Sequence, residues 1–144
     1  MRKKIRTIKF LLLVIIIIGG GFGYYHSHYI APDDYTIKKT TINNSSLPNE
    51  FANFEIGFIS DINLQNSSDI TRLEKIVTSL NNQHVDMLIF GGDLFTDIPF
   101  DNEKVIEVLS NIKSSYGKFA VLGEKDLASL NDVTSILNEG GFEV

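Results

Sequence analysis

From Phe54 onward the sequence alternates short apolar runs with amphipathic segments, and this alternation constrains the fold more than any other feature. The apolar runs predict four strands, over residues 54–60, 86–91, 118–122 and 142–144. Apolar residues spaced i, i+3, i+4 and i+7 predict three helices between them, over residues 69–82, 101–113 and about 131–139. Fully apolar strands that alternate with helices are typical of a parallel sheet covered on both faces. The sequence therefore predicts an α/β fold.

The first 25 residues have a different character. Residues 1–9 contain five basic residues and no acidic one, and the 16 residues Phe10–Tyr25 that follow are uncharged. We interpret residues 1–9 as a cytoplasmic tail and 10–25 as an uncleaved transmembrane signal-anchor, although a full span takes roughly 20 residues. The protein would then be a single-pass protein of the cell membrane with its domain outside the cytoplasm. A cleaved signal peptide and a buried core helix are the alternatives, and four glycines between residues 19 and 23 disfavour the helix.

Residues 26–34 are predicted to form a linker, and residues 35–144 the domain. His26 and His28 are interpreted as solvated linker residues in preference to a metal-binding pair. The β-branched stretch Tyr35–Ile42 predicts a first strand, and residues 43–49 predict a loop.

Charge and cysteine content argue against nucleic-acid binding and exclude disulfides and thiolate metal sites. After residue 9 the chain holds 8 basic against 18 acidic residues, a net formal charge of −10. Nucleic-acid binding rests on clustered Lys and Arg, so we expect no nucleic-acid partner. Without cysteine there is neither a disulfide framework nor a thiolate metal site.

Acidic motifs follow three of the predicted strands. They are Ser60-Asp61-Ile62-Asn63, Gly91-Gly92-Asp93-Leu94 and Gly123-Glu124-Lys125-Asp126. Ligands of open parallel sheets bind beyond the carboxyl ends of the strands, where these acids would converge. Carboxylates held close together need a cation to neutralise them. Taken singly, each acid would more simply be a helix cap or turn residue.

These motifs carry a resemblance to a known family. FEIGFISDINL, IFGGDL and YGKFAVLGEKD resemble, in order, the D-x-H, G-D and G-N-H-D/E blocks of the calcineurin-like metallophosphoesterases. The N-terminal segment and residues 35–54 look like the membrane-anchored bacterial branch of that family. The resemblance covers residues 35–144 and implies the N-terminal half of a metallophosphoesterase-like α/β sandwich.

The resemblance also implies site residues. In the family two metal ions clamp a phosphate and activate water. By position, Asp61 would bind the first metal and Asp93 would bridge the two. Three family ligands or catalytic groups are replaced: a histidine by Asn63, an asparagine by Glu124 and a second histidine by Lys125. The implied metal ligands are thus Asp61, Asn63, Asp93 and Glu124, and the implied catalytic positions are Lys125 and Asp126, the latter orienting the replaced histidine.

The replacements weaken the site chemically. An amide oxygen is a poorer ligand than imidazole for zinc or iron, and lysine is a fixed cation near neutral pH. We hypothesise that Lys125 partly substitutes for metal by neutralising Asp61 and Asp93. The remaining oxygen ligands would alternatively suit one hard cation such as Mg²⁺ or Ca²⁺. The cofactor is therefore either a divalent metal (Mn, Zn, Fe or Mg) or none.

Three functions stay open at this point. The first is a degenerate or truncated membrane-anchored metallophosphoesterase that is inactive alone and is either a binding partner of another protein or the remnant of a disrupted gene. The second is a phosphoester hydrolase completed by a second chain or a homodimer. The third is an extracytoplasmic interaction or regulatory protein. The strand that starts after Gly140-Gly141 is typical of a fold that continues beyond Val144.

Overall fold

The computed structural model describes residues 2–25, 36–96 and 101–144, with side chains from residue 9 onward. It divides into two compact units, Met1–Asn43 and Asn44–Val144. The predicted linker 26–34, with its two histidines, lies outside the described residues, as does Tyr35.

The first unit contains helix α1 (Arg2–Tyr25), whose large apolar side chains between Phe10 and Tyr25 are mostly exposed. In the described part of the chain, no helix combines the length and the apolar character that crossing a membrane takes, so the predicted anchor at residues 10–25 is not supported. The strand predicted over 35–42 is wrong for its described part. Residues 36–43 are exposed and form no regular structure, because β-branched residues need a neighbouring strand to pack against.

The second unit has the alternating elements that the sequence predicts. Its strands are β1 (Ile56–Ile59), β2 (Met87–Phe90), β3 (Lys118–Ala120) and β4 (Phe142–Glu143). Its helices are α2 (Ser67–Gln83), α3 (Asn102–Ser110) and α4 (Leu130–Glu139). Two 3₁₀ turns, Asn49–Phe51 and Lys125–Ser129, complete the unit. All four strands and all three helices predicted for 54–144 are confirmed, with boundaries that differ by a few residues.

Caps set the helix boundaries. Asn66 and Asp69 form a capping box at the start of α2, and the left-handed His84 ends that helix. Asp101 accepts from the Lys104 N–H and starts α3, as predicted. The glycine pair at 140–141 ends α4 and leads into β4.

The sheet is four-stranded and parallel, with strand order β1-β2-β3-β4. Because every right-handed crossover advances in the same direction, all three helices lie on one face of the sheet. Consistent with this, α2 contacts α3 and α3 contacts α4. The core lies between the sheet and these helices and includes Leu73, Leu88, Phe90, Leu109 and Leu137. Among the described residues of this unit, the helices thus cover one face of the sheet, whereas the sequence predicts a sheet covered on both faces.

The side chains on the opposite side form what we call the open face. It consists of the strand residues Ile56, Phe58, Met87, Ile89 and Phe119, and of Val121, which directly follows β3. Along each strand these residues alternate with residues of the helix-covered side, such as Gly57, Leu88 and Ala120. None of the six belongs to the buried core, and each is exposed or half-buried.

Lys118 joins the ends of two helices to the sheet. Its Nζ donates to the carbonyl oxygens of Leu109 at 3.0 Å and Gly140 at 2.6 Å, and lies 5.2 Å from the centre of the Phe142 ring. Burial lowers the pKa of this ammonium, whereas the carbonyl contacts favour its charged form. The lysine thus satisfies carbonyls at the negative ends of α3 and α4.

Candidate functional site

The segments that follow β1 and β2 run side by side beyond the carboxyl edge of the sheet. The Asp61 N–H donates to the Gly92 carbonyl at 2.9 Å, and the Asn63 N–H donates to the Asp93 carbonyl at 3.0 Å. Asp61, Asn63 and Asp93 all have left-handed backbone conformations, with φ of 55°, 51° and 59°. Asp and Asn tolerate this region better than other non-glycine residues, and such conformations cluster at functional sites.

Asp126 connects the segment after β3 to the one after β2. Its side chain is 1% exposed and accepts three backbone N–H groups. Oδ2 accepts from Asp93 at 2.7 Å and Gly123 at 2.9 Å, and Oδ1 accepts from Leu94 at 3.0 Å. A buried carboxylate requires this degree of hydrogen bonding. Asp126 therefore holds the segments after β2 and β3 together, a role that the resemblance to the family did not suggest.

Glycine permits the close approach of these two segments. A Cβ atom on Gly123 would lie 2.0 Å from Asp93 Oδ1, and one on Gly92 would lie 2.3 Å from the Gly123 N atom. Gly92 also has a φ of 95°, a conformation that L side chains rarely adopt. The glycines beside the acids in the sequence thus mark a backbone contact that positions Asp93.

Lys125 spans the site from one segment to another. Its Nζ donates to Asn63 Oδ1 at 2.6 Å, and its backbone N–H donates to Asp93 Oδ1 at 3.1 Å. The Asn63 amide nitrogen in turn donates to the Asp61 carbonyl at 2.8 Å. The Lys125 ammonium therefore forms a hydrogen bond with the amide oxygen of Asn63. Lys125 contacts the Asp93 carboxylate only through its backbone N–H.

The other two predicted metal ligands lie near the surface. Asp61 and Glu124 are exposed, and Asp93 is half-buried. The described residues contain no group of three or more His, Cys, Asp or Glu side chains arranged to hold a metal ion. With the Lys125 ammonium bonded to Asn63 and with Asp61 and Glu124 exposed, the described side chains do not fit a two-metal centre.

A small cavity adjoins the site. It is lined by Phe95, Thr96, Lys125, Asp126, Ala128, Ser129 and Val133 and has a volume of ≈ 130 Å³. Sites for small organic ligands usually enclose about 300–1,000 Å³. This cavity is therefore too small to serve as a substrate pocket.

The chain is similar in sequence to two metallophosphoesterases. The chain is 28% identical over 126 residues to the uncharacterized metallophosphoesterase YkuE of Bacillus subtilis (strain 168), a match that covers 85% of this chain and 44% of the relative. It is 31% identical over 94 residues to the uncharacterized metallophosphoesterase Cj0846 of Campylobacter jejuni, covering 65% of this chain and 25% of that relative. No protein-family model and no solved structure matches the chain.

These similarities, together with the parallel α/β sheet, support a metallophosphoesterase family for this chain, as the sequence motifs predict. Metallophosphoesterases generally use divalent metal ions. The chain spans less than half the length of both relatives. The similarity thus concerns a partial metallophosphoesterase-like domain.

The sequence located the acidic segments, and the structure brings them together. Asp61, Asn63, Asp93, Glu124, Lys125 and Asp126 all follow strands at one edge of the sheet. Sequence reasoning missed that Asp126 is buried and bonded to three backbone groups. The available signal was a glycine at the end of each of two strands, Gly92 beside Asp93 and Gly123 three residues before Asp126. Glycine at a strand end often marks a position where two backbone segments approach closely.

Proposed function

We propose that this chain is a degenerate metallophosphoesterase-like protein that does not hydrolyse phosphoesters by itself. The observation that carries the proposal is the 2.6 Å contact between Lys125 Nζ and Asn63 Oδ1. It lies where the resemblance implies two histidines, one for metal binding and one for the leaving group. The Asn63 side-chain oxygen thus already accepts a hydrogen bond from the Lys125 ammonium. This positive charge would repel a divalent metal ion beside it.

Hydrolysis of p-nitrophenyl phosphate and bis(p-nitrophenyl) phosphate with Mn²⁺ tests this proposal. We expect the full chain to give no turnover above Mn²⁺ alone. Turnover that is lost in an Asp93→Ala variant would contradict the proposal and favour the hydrolase alternative, with a second copy or a second chain completing the site. Turnover that survives this substitution would point to a contaminating enzyme, and the preparation would be purified further and measured again.

A variant that restores the family pattern provides the matched control. Asn63→His, Glu124→Asn and Lys125→His together would replace the three divergent side chains and remove the ammonium from the site. We expect this triple variant to bind Zn²⁺ at least about tenfold more tightly than the natural chain, because imidazole is a better ligand for zinc than an amide oxygen. Equal affinity in the two proteins would mean that these replacements are not what weakens metal binding.

We further propose that α1 attaches the chain to a membrane, with the second unit outside the cytoplasm. The support is a run of exposed apolar side chains from Phe10 to Tyr25, preceded by basic residues. Extraction of membranes with alkaline carbonate tests attachment, and protease treatment of intact spheroplasts tests orientation. Release of the intact chain by carbonate, or protection of residues 44–144 from the protease, would contradict this proposal.

A further inference from the structure

Arg72 of α2 contacts the segment that follows β1, which carries two of the predicted metal ligands. Its Nη2 atom donates to the Ile62 carbonyl oxygen at 2.7 Å. Ile62 lies between Asp61 and Asn63 in the sequence, and its side chain is buried in the core. Arg72 therefore joins α2 to the acidic edge of the sheet.

Two side-chain donors hold the peptide groups on either side of Ile62. Asn63 Nδ2 donates to the Asp61 carbonyl at 2.8 Å, and Arg72 Nη2 donates to the Ile62 carbonyl. A carbonyl held in this way fixes the orientation of its whole peptide group, because that group is planar and rigid. The peptide group between Ile62 and Asn63 forms one end of the φ torsion of Asn63. The hydrogen bond from Arg72 therefore acts directly on this torsion.

The backbone of Asn63 has a conformation that needs support. Its φ of 51° lies in the left-handed region, which is unfavourable for a residue with a side chain, although less so for asparagine. Such conformations persist only where the surrounding contacts hold them. In this conformation Asn63 Oδ1 lies 2.6 Å from Lys125 Nζ. A different φ would move the Asn63 side chain and separate these two atoms.

Asp69 in turn places the Arg72 side chain. Its Oδ1 atom lies 3.5 Å from Arg72 Nη2, one helical turn away on α2. Its Oδ2 atom accepts the backbone N–H groups of Gln65 at 2.8 Å and Asn66 at 3.1 Å, which fixes the carboxylate at the start of the helix. The Arg72 side chain is only 19% exposed, and partial burial strengthens its hydrogen bond to the Ile62 carbonyl.

We propose that Arg72 is a positioning residue of the acidic site. It holds Asn63 in the left-handed conformation in which the Asn63 side chain bonds to the Lys125 ammonium. This inference deepens the proposed function and rests on it, because both depend on the contact between Lys125 and Asn63. A hydrogen bond from a charged donor shifts an equilibrium by roughly tenfold or more. Loss of the donor should therefore lower the ratio of left-handed to other conformers of Asn63 at least about tenfold.

Nuclear magnetic resonance of the full chain in mild detergent tests this proposal. A strong Overhauser effect between the amide and α protons of Asn63 reports its positive φ, and a second effect, between Asn63 and the Lys125 side chain, reports their contact. We expect both signals in the natural chain. Arg72→Met keeps the apolar stem but removes the donor, so both signals should be lost. Arg72→Gln, whose shorter side chain does not reach the carbonyl, should lose them as well and replaces Arg72→Met if that variant does not fold.

Lys104→Met is the matched control, because Lys104 is a long basic side chain on α3 whose ammonium bonds to Glu107. It should leave both Asn63 signals unchanged. In every variant, the amide signal of Leu94, which donates to Asp126, checks that the fold persists.

The result that overturns the positioning role differs from the one that overturns the proposed function. Unchanged Asn63 signals in a folded chain without Arg72 would overturn the positioning role alone, since the contact with Lys125 would then form without it. Absence of the contact signal from the natural chain would overturn both, because Lys125 would not bond to Asn63.

Discussion

Removing the charge of Asp126 should destabilise the second unit strongly, because its carboxylate is buried and accepts three backbone N–H groups. In Asp126→Asn the amide oxygen can replace Oδ2 and keep the bonds from Asp93 and Gly123. The amide nitrogen then faces the Leu94 N–H, so this buried donor loses its acceptor. An unsatisfied buried donor costs about 1–3 kcal/mol, and two bonds that lose charge assistance cost about 1 kcal/mol each.

Relief of the carboxylate's burial offsets part of this cost, so we expect a net loss of about 2–4 kcal/mol in the free energy of unfolding. That is a large fraction of the roughly 5–15 kcal/mol by which a domain is stable. Urea unfolding of the full chain, followed by circular dichroism, measures this loss in the free energy of unfolding. The natural chain and the variant should unfold with the same m-value. Glu124→Gln, an exposed carboxylate two residues away, is the control and should change stability by less than about 0.5 kcal/mol. Equal losses in the two variants would refute the role assigned to the buried carboxylate.

Three further substitutions test other parts of the account by the same unfolding measurement. Gly123→Ala should cost about 1–3 kcal/mol or more, because its Cβ would overlap the Asp93 carboxylate; a neutral effect would argue against close contact of the two segments. Lys118→Met should cost about 1–3 kcal/mol, since it keeps the apolar stem but leaves the helix-end carbonyls without their donor; unchanged stability would mean that water replaces the ammonium fully. His84→Gly should stabilise the chain by about 0.5–1 kcal/mol, because the exposed His84 ends α2 with a φ of 55°; destabilisation would show that its side chain contributes contacts.

Local elements followed from the sequence because their signals are local. The i, i+3, i+4 and i+7 spacing of Val105, Val108, Leu109 and Ile112 identified α3, and all four are buried. Asp101 was recognisable as the cap because a short acceptor preceded that pattern. The strand 35–42 failed for the opposite reason, since a strand depends on a partner that its own sequence does not contain.

The arrangement of the site depended on distant residues and was only partly predictable. Placing the acidic motifs after parallel strands was enough to bring them to one edge of the sheet. Which group each side chain contacts was not predictable: Asp126 bonds backbone 32 and 33 positions away, and Lys125 reaches Asn63 across 62 positions. The side of the sheet on which the helices lie was not predictable either. It follows from the strand order, and the spacing of apolar residues in the sequence does not determine that order.

Calorimetric titration of the full chain with Mn²⁺ and with Zn²⁺ tests the central claim most directly. If the Lys125 ammonium bonds to Asn63, the described residues lack the grouped ligands that two metal ions need. We then expect no tight binding in the natural chain, and measurable binding in the variant that carries Asn63→His, Glu124→Asn and Lys125→His. Tight binding of two transition-metal ions per natural chain would contradict the account.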